Sequence, residues 1–447
     1  MLNFDFLTFG GFFHFYDKLK MKLSGQWRNY SLSSLKTDST NLVLGLPNQG
    51  LTSEETIKQL VKFEKFLMLL LASRFGFNRK VLHQSAKTDY FSLIIRVMGQ
   101  INLIRLICLT VIKNEDYQLY LGDTGYKTKH RIMINILYAI CFLFGVATNE
   151  WLIFYDKNGK NSVLTIYSGI IKHGFDPVHL QMTSNQAIKF HRTIHIRVAQ
   201  LNRRYMFCCL FLATVYYSVL LSNPHFYLVK QFRLYSLAWS IVAVIVAFTV
   251  AGKYFAIIGY LTLIQVYYLF RLRSAVELAD SYRRLKCTDE LASTFIKHTF
   301  ECLNQSEKWV KSTGDFVLCV FTCVTMICDL FIFYGFIIRF HSPLFANSLA
   351  SIGCIVFSVI GYLSLIAREF IIKIERLCSH IHSVSRCNVF NVYNHFKLLQ
   401  LMERLSEPKI GIQLGPIATI GKDFLIRFML EIGSSLMLFT LNFKRFF

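Results

Sequence analysis

Long apolar stretches alternate along this chain with polar segments of two unequal lengths. The clearest stretches are residues 131–155, 205–222, 236–270, 316–340, 345–367 and 424–443; a weaker one, 91–112, carries Arg96 and Arg105. A helix needs about 20 apolar residues to cross the hydrocarbon core, and each stretch is long enough or nearly so. Backbone in lipid must satisfy its own hydrogen bonds, so each stretch is predicted to be helical. The expected fold is an all-α membrane protein with seven transmembrane helices. Residues 234–271 admit two readings: one long helix projecting past the membrane, or two spans turning at Gly252-Lys253. A turn there would lack a polar loop and would place Arg271, Arg273, Arg283 and Arg284 outside, so one helix is expected.

Helical periodicity continues between the spans. Residues 183–204 form a basic amphipathic run leading into the third span. Residues 291–313 set Phe295, Ile296, Phe300, Leu303 and Val310 near helical spacing, and 396–405 do the same with Leu398, Leu399, Leu401, Met402 and Leu405. These are expected to be cytosolic helical extensions packed into a bundle. Residues 63–77 hold an apolar run too short to span, expected as an interfacial or re-entrant helix before the first span. Residues 1–55 read as a variable cytosolic extension, irregular over 37–53. Residues 56–447 read as one seven-helix domain.

Composition narrows the class. An apolar fraction of 53% and a mean hydropathy of +0.40 exceed those of a soluble chain. A net charge of +22 raises nucleic acid as a partner, but the basic residues sit beside apolar spans rather than in a polar domain, which argues against it. Their distribution sets an orientation instead. With a cytosolic N-terminus, segments 1–90, 156–203, 272–315 and 368–423 carry about 35 of the 49 Lys and Arg. The C-terminus is then extracellular, and the chain is expected as a multi-pass plasma-membrane protein. None of the 12 Cys falls in an outer loop, so disulfides are not expected.

Candidate chemistry is sparse. Asn223-Pro224-His225-Phe226-Tyr227 matches a G-protein-coupled receptor string, but it follows the third span on the outer side and reads as coincidence. His191 and His195 are four apart, and Cys378, His380, His382 and Cys387 cluster, yet both lie in basic segments where such residues are ordinary. No metal site or cofactor is expected. No phosphate loop, nucleophile elbow or catalytic carboxylate pair appears, so an enzyme is not expected. Asp329 is an intramembrane acid, which has to face protein or water. It reads either as a ligand-pocket or gating residue paired with Arg105, or as a structural interhelical contact. Tyr138, Tyr216, Tyr217, Tyr235, Trp239, Tyr334 and Ser351 lie in the outer halves of spans. They read as pocket-lining residues or as interface anchors. In the last span Glu431, Ser435, Leu438 and Asn442 fall on one helical stripe. The stripe either faces a pore or packs on neighbours, with Glu431 paired to Arg427.

Residues 398–443 carry a resemblance. They run from a helix through a glycine-containing turn into the last span, which closes with Ser435-Leu436, Met437 to Leu441 and Asn442-Phe443. This resembles the end of arthropod gustatory receptors, where Thr-Tyr, five apolar residues and Gln-Phe stand. His298, Leu303 and Gly314-Asp315-Phe316 look like that family's helix leading into its fifth span, and 66–77 with Gly76 like the segment before its first. The resemblance implies a ligand-gated cation channel opened by a small-molecule tastant, assembled as a homo- or hetero-tetramer. It also implies a pore lined by 424–443, with Glu431, Ser435, Leu438, Asn442 and Phe443 shaping passage and gate. Residues 291–313 and 396–421 would form a cytosolic anchor region. An odorant-type subunit needing a co-receptor is the nearest alternative; a multi-pass transporter or a G-protein-coupled receptor is the outside one. Ligand-evoked current without G-protein signalling separates them.

Overall fold

Helix starts along the chain coincide with side chains that cap the backbone amides a first turn leaves unpaired. Thr52 accepts from Glu55 N, Asn114 from Asp116 N, Thr183 from Gln186 N, Thr288 from Leu291 N and Ser342 from Phe345 N. The computed structural model describes residues 51–70, 76–77, 86–157, 165–284, 288–339, 342–406, 413–415, 418–421 and 423–446. In chain order the helices are α1 (Ser53–Leu69), α2 (Ala86–Val111), α3 (Glu115–Tyr120), α4 (Arg131–Lys157), α5 (Thr165–His173) and α6 (Pro177–Leu180). There follow α7 (Ser184–Leu221), α8 (His225–Leu228), α9 (Lys230–Arg284) and α10 (Asp289–Ile332), which runs on into a π-helical turn at Phe333–Ile338. Then come α11 (Pro343–Cys387), α12 (Val392–Ser406), a two-stranded ribbon of β1 (Gln413–Leu414) and β2 (Ala418–Thr419), and α13 (Phe424–Phe446).

Among the described residues six helices contain a stretch long and apolar enough to cross a membrane: α2, α4, α9, α10, α11 and α13. The stretch 205–222 is the second half of α7, where the side chains of 204–212 lie outside the described residues. The chain is a multi-pass membrane protein. Helix α9 is unbroken over 55 residues, about 80 Å at 1.5 Å per residue and far longer than a core of about 30 Å. The single-helix expectation therefore holds. Residues 291–313 are the first half of α10, and 396–405 lie within α12. The chain thus has a loop end, with the turns after α2, α7 and α10, and a long-helix end where α9, α10 and α11 run on.

The two ends cohere for different reasons. At the long-helix end one large cluster gathers Leu60, Phe63, Tyr167, Phe190, Ile194, Leu263, Leu303, Ile374 and Leu398 from seven helices. Burying each such side chain away from water stabilises by about 1.5–3 kcal/mol. Arg404 ties α12 to α10, donating to Asn304 Oδ1 at 2.6 Å and Glu307 Oε2 at 2.7 Å. Within lipid that driving force is missing, and close approach of small residues replaces it. A Cβ on Gly335 would stand 2.5 Å from Ala350 N, and one on Gly353 2.7 Å from Ile332 Cγ1, so α10 and α11 meet backbone to backbone. Ile94, Val97, Ile101, Ile104 and Val111 of α2 are left exposed along one face, as a lipid-facing helix requires.

The described part of segment 63–77 departs from expectation; residues 71–75 lie outside the described residues. Helix α1 starts ten residues earlier, at Ser53, and its buried face is Thr56, Leu60, Phe63 and Leu67. That face meets protein, chiefly α7, rather than a membrane surface. Asn202 Nδ2 donates to Gln59 O at 3.2 Å and to Gln59 Oε1 at 3.0 Å. The apolar run itself did not disclose this, because the three- and four-residue spacing of the buried face begins in the polar stretch before it.

Candidate functional site

At the loop end Arg105 is 3% exposed, and a guanidinium so buried has to find partners. Its Nε donates to Leu121 O at 2.6 Å, Nη2 to Gly122 O at 2.7 Å and Nη1 to Asn102 Oδ1 at 3.0 Å. The guanidinium also lies 4.9 Å over the Trp239 ring, a cation–π contact. The expected pairing of Arg105 with Asp329 is therefore not made. The segment after α3 folds back over α2 and offers carbonyls first. Gly122, at φ +60, permits that fold; a Cβ there would sit 2.8 Å from Tyr235 O.

The loop is itself pinned. Asp123, fully buried, accepts from Gly125 N at 3.0 Å and from Asn135 Nδ2 at 3.1 Å, and pairs with Arg131. Asn223 Nδ2 donates to Tyr126 O at 2.9 Å and Thr124 O at 3.3 Å. The Asn-Pro string thus staples two loops together. Nothing in its letters signalled that role.

Inside this frame Tyr138 of α4 and Tyr216 of α7 stack at 5.3 Å and 19°. They belong to a cluster with Leu106, Ala243, Phe345 and Leu349, against which Tyr334 packs. Tyr216 also lies beside Arg105 and Ser240. Two polar atoms here, Tyr138 Oη and Asn102 Nδ2, are buried with no hydrogen-bond partner among the described residues. Leaving such an atom unpaired costs about 1–3 kcal/mol. An apolar aromatic wall with a few unsatisfied polar atoms is what small-molecule sites are made of.

The other candidates disperse. Trp239 reaches the stack through Arg105, and its Nε1 donates to Tyr120 O at 3.3 Å. Tyr217 packs with Tyr126, Phe226 and Phe232 in a separate cluster. Tyr235 meets Tyr120 at 5.3 Å, and the Ser351 hydroxyl returns to Asn347 O at 2.7 Å. Asn102 and Ser240 were missed in the sequence. Asn102 stands one helical turn before Arg105, which was the available signal.

Asp329, 7% exposed, keeps Oδ1 without a partner among the described residues. The charge acting on it is Glu431 of α13. Helix α13 buries Phe428 and Ile432 against α10 and α11, and Phe439 meets Phe333 at 5.6 Å. The stripe lies elsewhere on the helix: Glu431 and Asn442 are exposed, Ser435 is half-buried and Leu438 is 59% exposed. The Phe443 side chain lies outside the described residues. Only 11% of the α13 span is buried, against 22–39% for the other five. Glu431 makes no salt bridge to Arg427 among the described residues.

At the long-helix end His191 Nε2 and His195 Nδ1 flank one hydroxyl, Thr56 Oγ1, at 2.8 and 3.1 Å. His191 also stacks on Phe175 at 4.2 Å. Burial first, and the neighbouring His195 next, hold the His191 imidazole below its ordinary 6.5. Among the described residues no group of three or more His, Cys, Asp or Glu is arranged to hold a metal ion.

The fold is shared with a solved receptor. The insect olfactory receptor OR5 from Machilis hrabei matches with a TM-score of 0.62 at 10% identity, over 85% of this chain and 97% of that one. The same receptor in complex with eugenol matches with a TM-score of 0.60 at 10% identity, over 86% and 98%. No protein-family model matches the chain, and no curated protein does.

Proposed function

We propose that the chain is a chemoreceptor subunit of a ligand-gated cation channel, of gustatory type, in the plasma membrane. The long-helix end and the N-terminus are cytosolic, and the C-terminus is extracellular. All seven apolar stretches cross the membrane, and four subunits surround a pore lined by α13. The single observation that carries the reading is the Tyr138–Tyr216 stack beside a clamped Arg105 and the unpartnered Asn102 Nδ2, in a fold shared with a receptor solved with eugenol. A small molecule seated there pairs with the free Asn102 and Tyr138 atoms and packs on the tyrosine faces.

The π-helical turn supplies a route from site to pore. Tyr334 packs on the ligand cluster. The adjacent Phe333 meets Phe439 of α13 at 5.6 Å. A ligand that moves Tyr334 therefore biases the packing of α13. Such a bias opens a pore only as far as the ligand binds the open arrangement more tightly than the closed one. The exposed stripe and slight burial of α13 support placing it against other subunits, since polar side chains in lipid seek water or protein.

The test is whole-cell current under a ligand panel, in cells expressing the chain alone and with related subunits. Ligand-evoked cation current from the chain alone, lost in Tyr138→Ala at normal surface level, is the expected result. Current only with a co-receptor of odorant type would select the odorant-type alternative, with which the shared fold is equally consistent. Responses that need G proteins would refute both channel readings.

A further inference from the structure

Where α7, α9 and α11 meet at the long-helix end they enclose a cleft of about 500 Å³. That is within the roughly 300–1,000 Å³ of small-molecule sites. Val276 is the one apolar residue in its described wall. Three acids line it, and each is already engaged. Glu277 accepts from Thr183 Oγ1 at 2.7 Å and from Asn185 Nδ2 at 2.8 Å. Asp280 pairs with Arg283 at 2.8 Å and Arg284 at 2.5 Å, and Glu369 pairs with Arg273.

Three of the cations are held less closely: Lys189 attracts Glu277 only across space, and Lys373 likewise attracts Glu369. Lys189 of α7, and Lys373 and Arg376 of α11, line the cleft and make no side-chain hydrogen bond or salt bridge among the described residues. Burial disfavours the Lys373 charge, Arg376 and Arg273 repel it, and Glu369 attracts it. Like charges brought together by separate helices raise the local potential, and a bound anion relieves it.

We propose that this cleft binds a multiply phosphorylated small molecule, gripped by the Arg376 fork and by Lys373 and Lys189 as point charges. Lys373 lies about 45 Å along α11 from Pro343. That is about 15 Å past the edge of a core of about 30 Å. A phosphoinositide headgroup standing out of the leaflet approaches this depth, and a free inositol phosphate reaches it from solution. An acidic peptide fits less well, because peptide interfaces lean on buried aromatic or aliphatic anchors and the wall offers Val276 only. The binding rests on the cleft itself; the lipid source alone rests on the cytosolic placement proposed above. Occupancy would tie α7 to α11 below the membrane.

The test uses the full-length protein in phosphatidylcholine nanodiscs at physiological salt, titrated with inositol trisphosphate. A parallel set of discs carries phosphatidylinositol bisphosphate, with thermal stabilisation as the readout. Saturable binding of the soluble probe marks a free ligand; stabilisation in the lipid-bearing discs alone marks a headgroup. In either arm Lys373→Gln with Arg376→Gln should weaken binding about tenfold or more, while Lys308→Gln, on α10 away from the cleft, should not. Should the double variant fail to fold, Lys189→Gln tests the same cleft from another helix. The proposal is overturned if neither probe binds, if the cleft variants bind as tightly as the parent, or if a polyglutamate peptide displaces inositol trisphosphate at equal concentration. None of these readouts depends on channel activity, so failure here leaves the chemoreceptor reading standing.

Discussion

Arg105 sets the loop end in place through two backbone carbonyls and the Asn102 amide, and it does so as a fork. Arg105→Leu leaves Leu121 O and Gly122 O unpaired in a buried site, at about 1–3 kcal/mol each. Surface protein should fall severalfold, as read by surface biotinylation. Arg105→Lys keeps the charge without the fork and should restore delivery only in part; full recovery would mean that charge alone matters. Asp329 poses the opposite case, a buried acid with an unpartnered oxygen and another acid nearby. Asp329→Asn removes the repulsion from Glu431 while keeping shape. It should reach the surface normally and shift the agonist dose–response curve. Complete loss of surface protein would make Asp329 structural.

At the scale of elements the α10–α11 crossing brings backbone against backbone. In Gly335→Ala the new Cβ meets backbone, not a side chain that can turn away. Overpacking of this kind costs about 1–3 kcal/mol. The melting temperature in detergent should drop, and an unchanged midpoint would show that the π-helical turn is free to shift. Docking of α1 on α7, made through Thr56 and Gln59, carries a pH dependence. Burial, more than the opposing Thr52 hydrogen bond, holds the docked His191 below its ordinary 6.5, so undocking that exposes the ring leaves it the better proton acceptor. Docking is then at full strength above about 6.5 and weakens as pH falls below that value. Hydrogen exchange across α1, corrected for intrinsic rate, should quicken between pH 7.5 and pH 5.5 (about two units, spanning the His range). His191→Asn should flatten the difference.

For the whole molecule the weakly buried helix is α13, and the proposed assembly explains why it holds. Four copies of Glu431 around an axis would form an acidic ring of the kind that favours cations. Glu431→Gln should keep surface delivery and shift the reversal potential in mixed-ion solutions toward less cation preference. An unchanged reversal potential would remove Glu431 from the pore. The same cells settle orientation: a C-terminal tag should be reached on intact cells and an N-terminal tag only after permeabilisation.

The sequence by itself determined the helices, because hydrogen-bonding rules in lipid leave a 20-residue apolar stretch one backbone solution. It also determined that 234–271 are one helix, since a turn at Gly252-Lys253 had no polar loop to carry it and would have put four arginines outside. Partners were decided only by the fold. Arg105 and Asp329 are both legible as intramembrane charges, and opposite charge alone suggested that they pair. Yet a buried guanidinium takes the nearest acceptors, and those were carbonyls of Leu121 and Gly122, brought over α2 by a left-handed Gly122. Tyr138, Tyr216 and Tyr334 converge while Tyr217, next to Tyr216, turns to another cluster, because adjacent helical residues point about 100° apart and only the neighbouring helices fix which direction is the core. The cationic cleft was likewise invisible in the chain: Lys189 and Lys373 are 184 positions apart in number (373 less 189), and only the packing of α7, α9 and α11 set them in one wall.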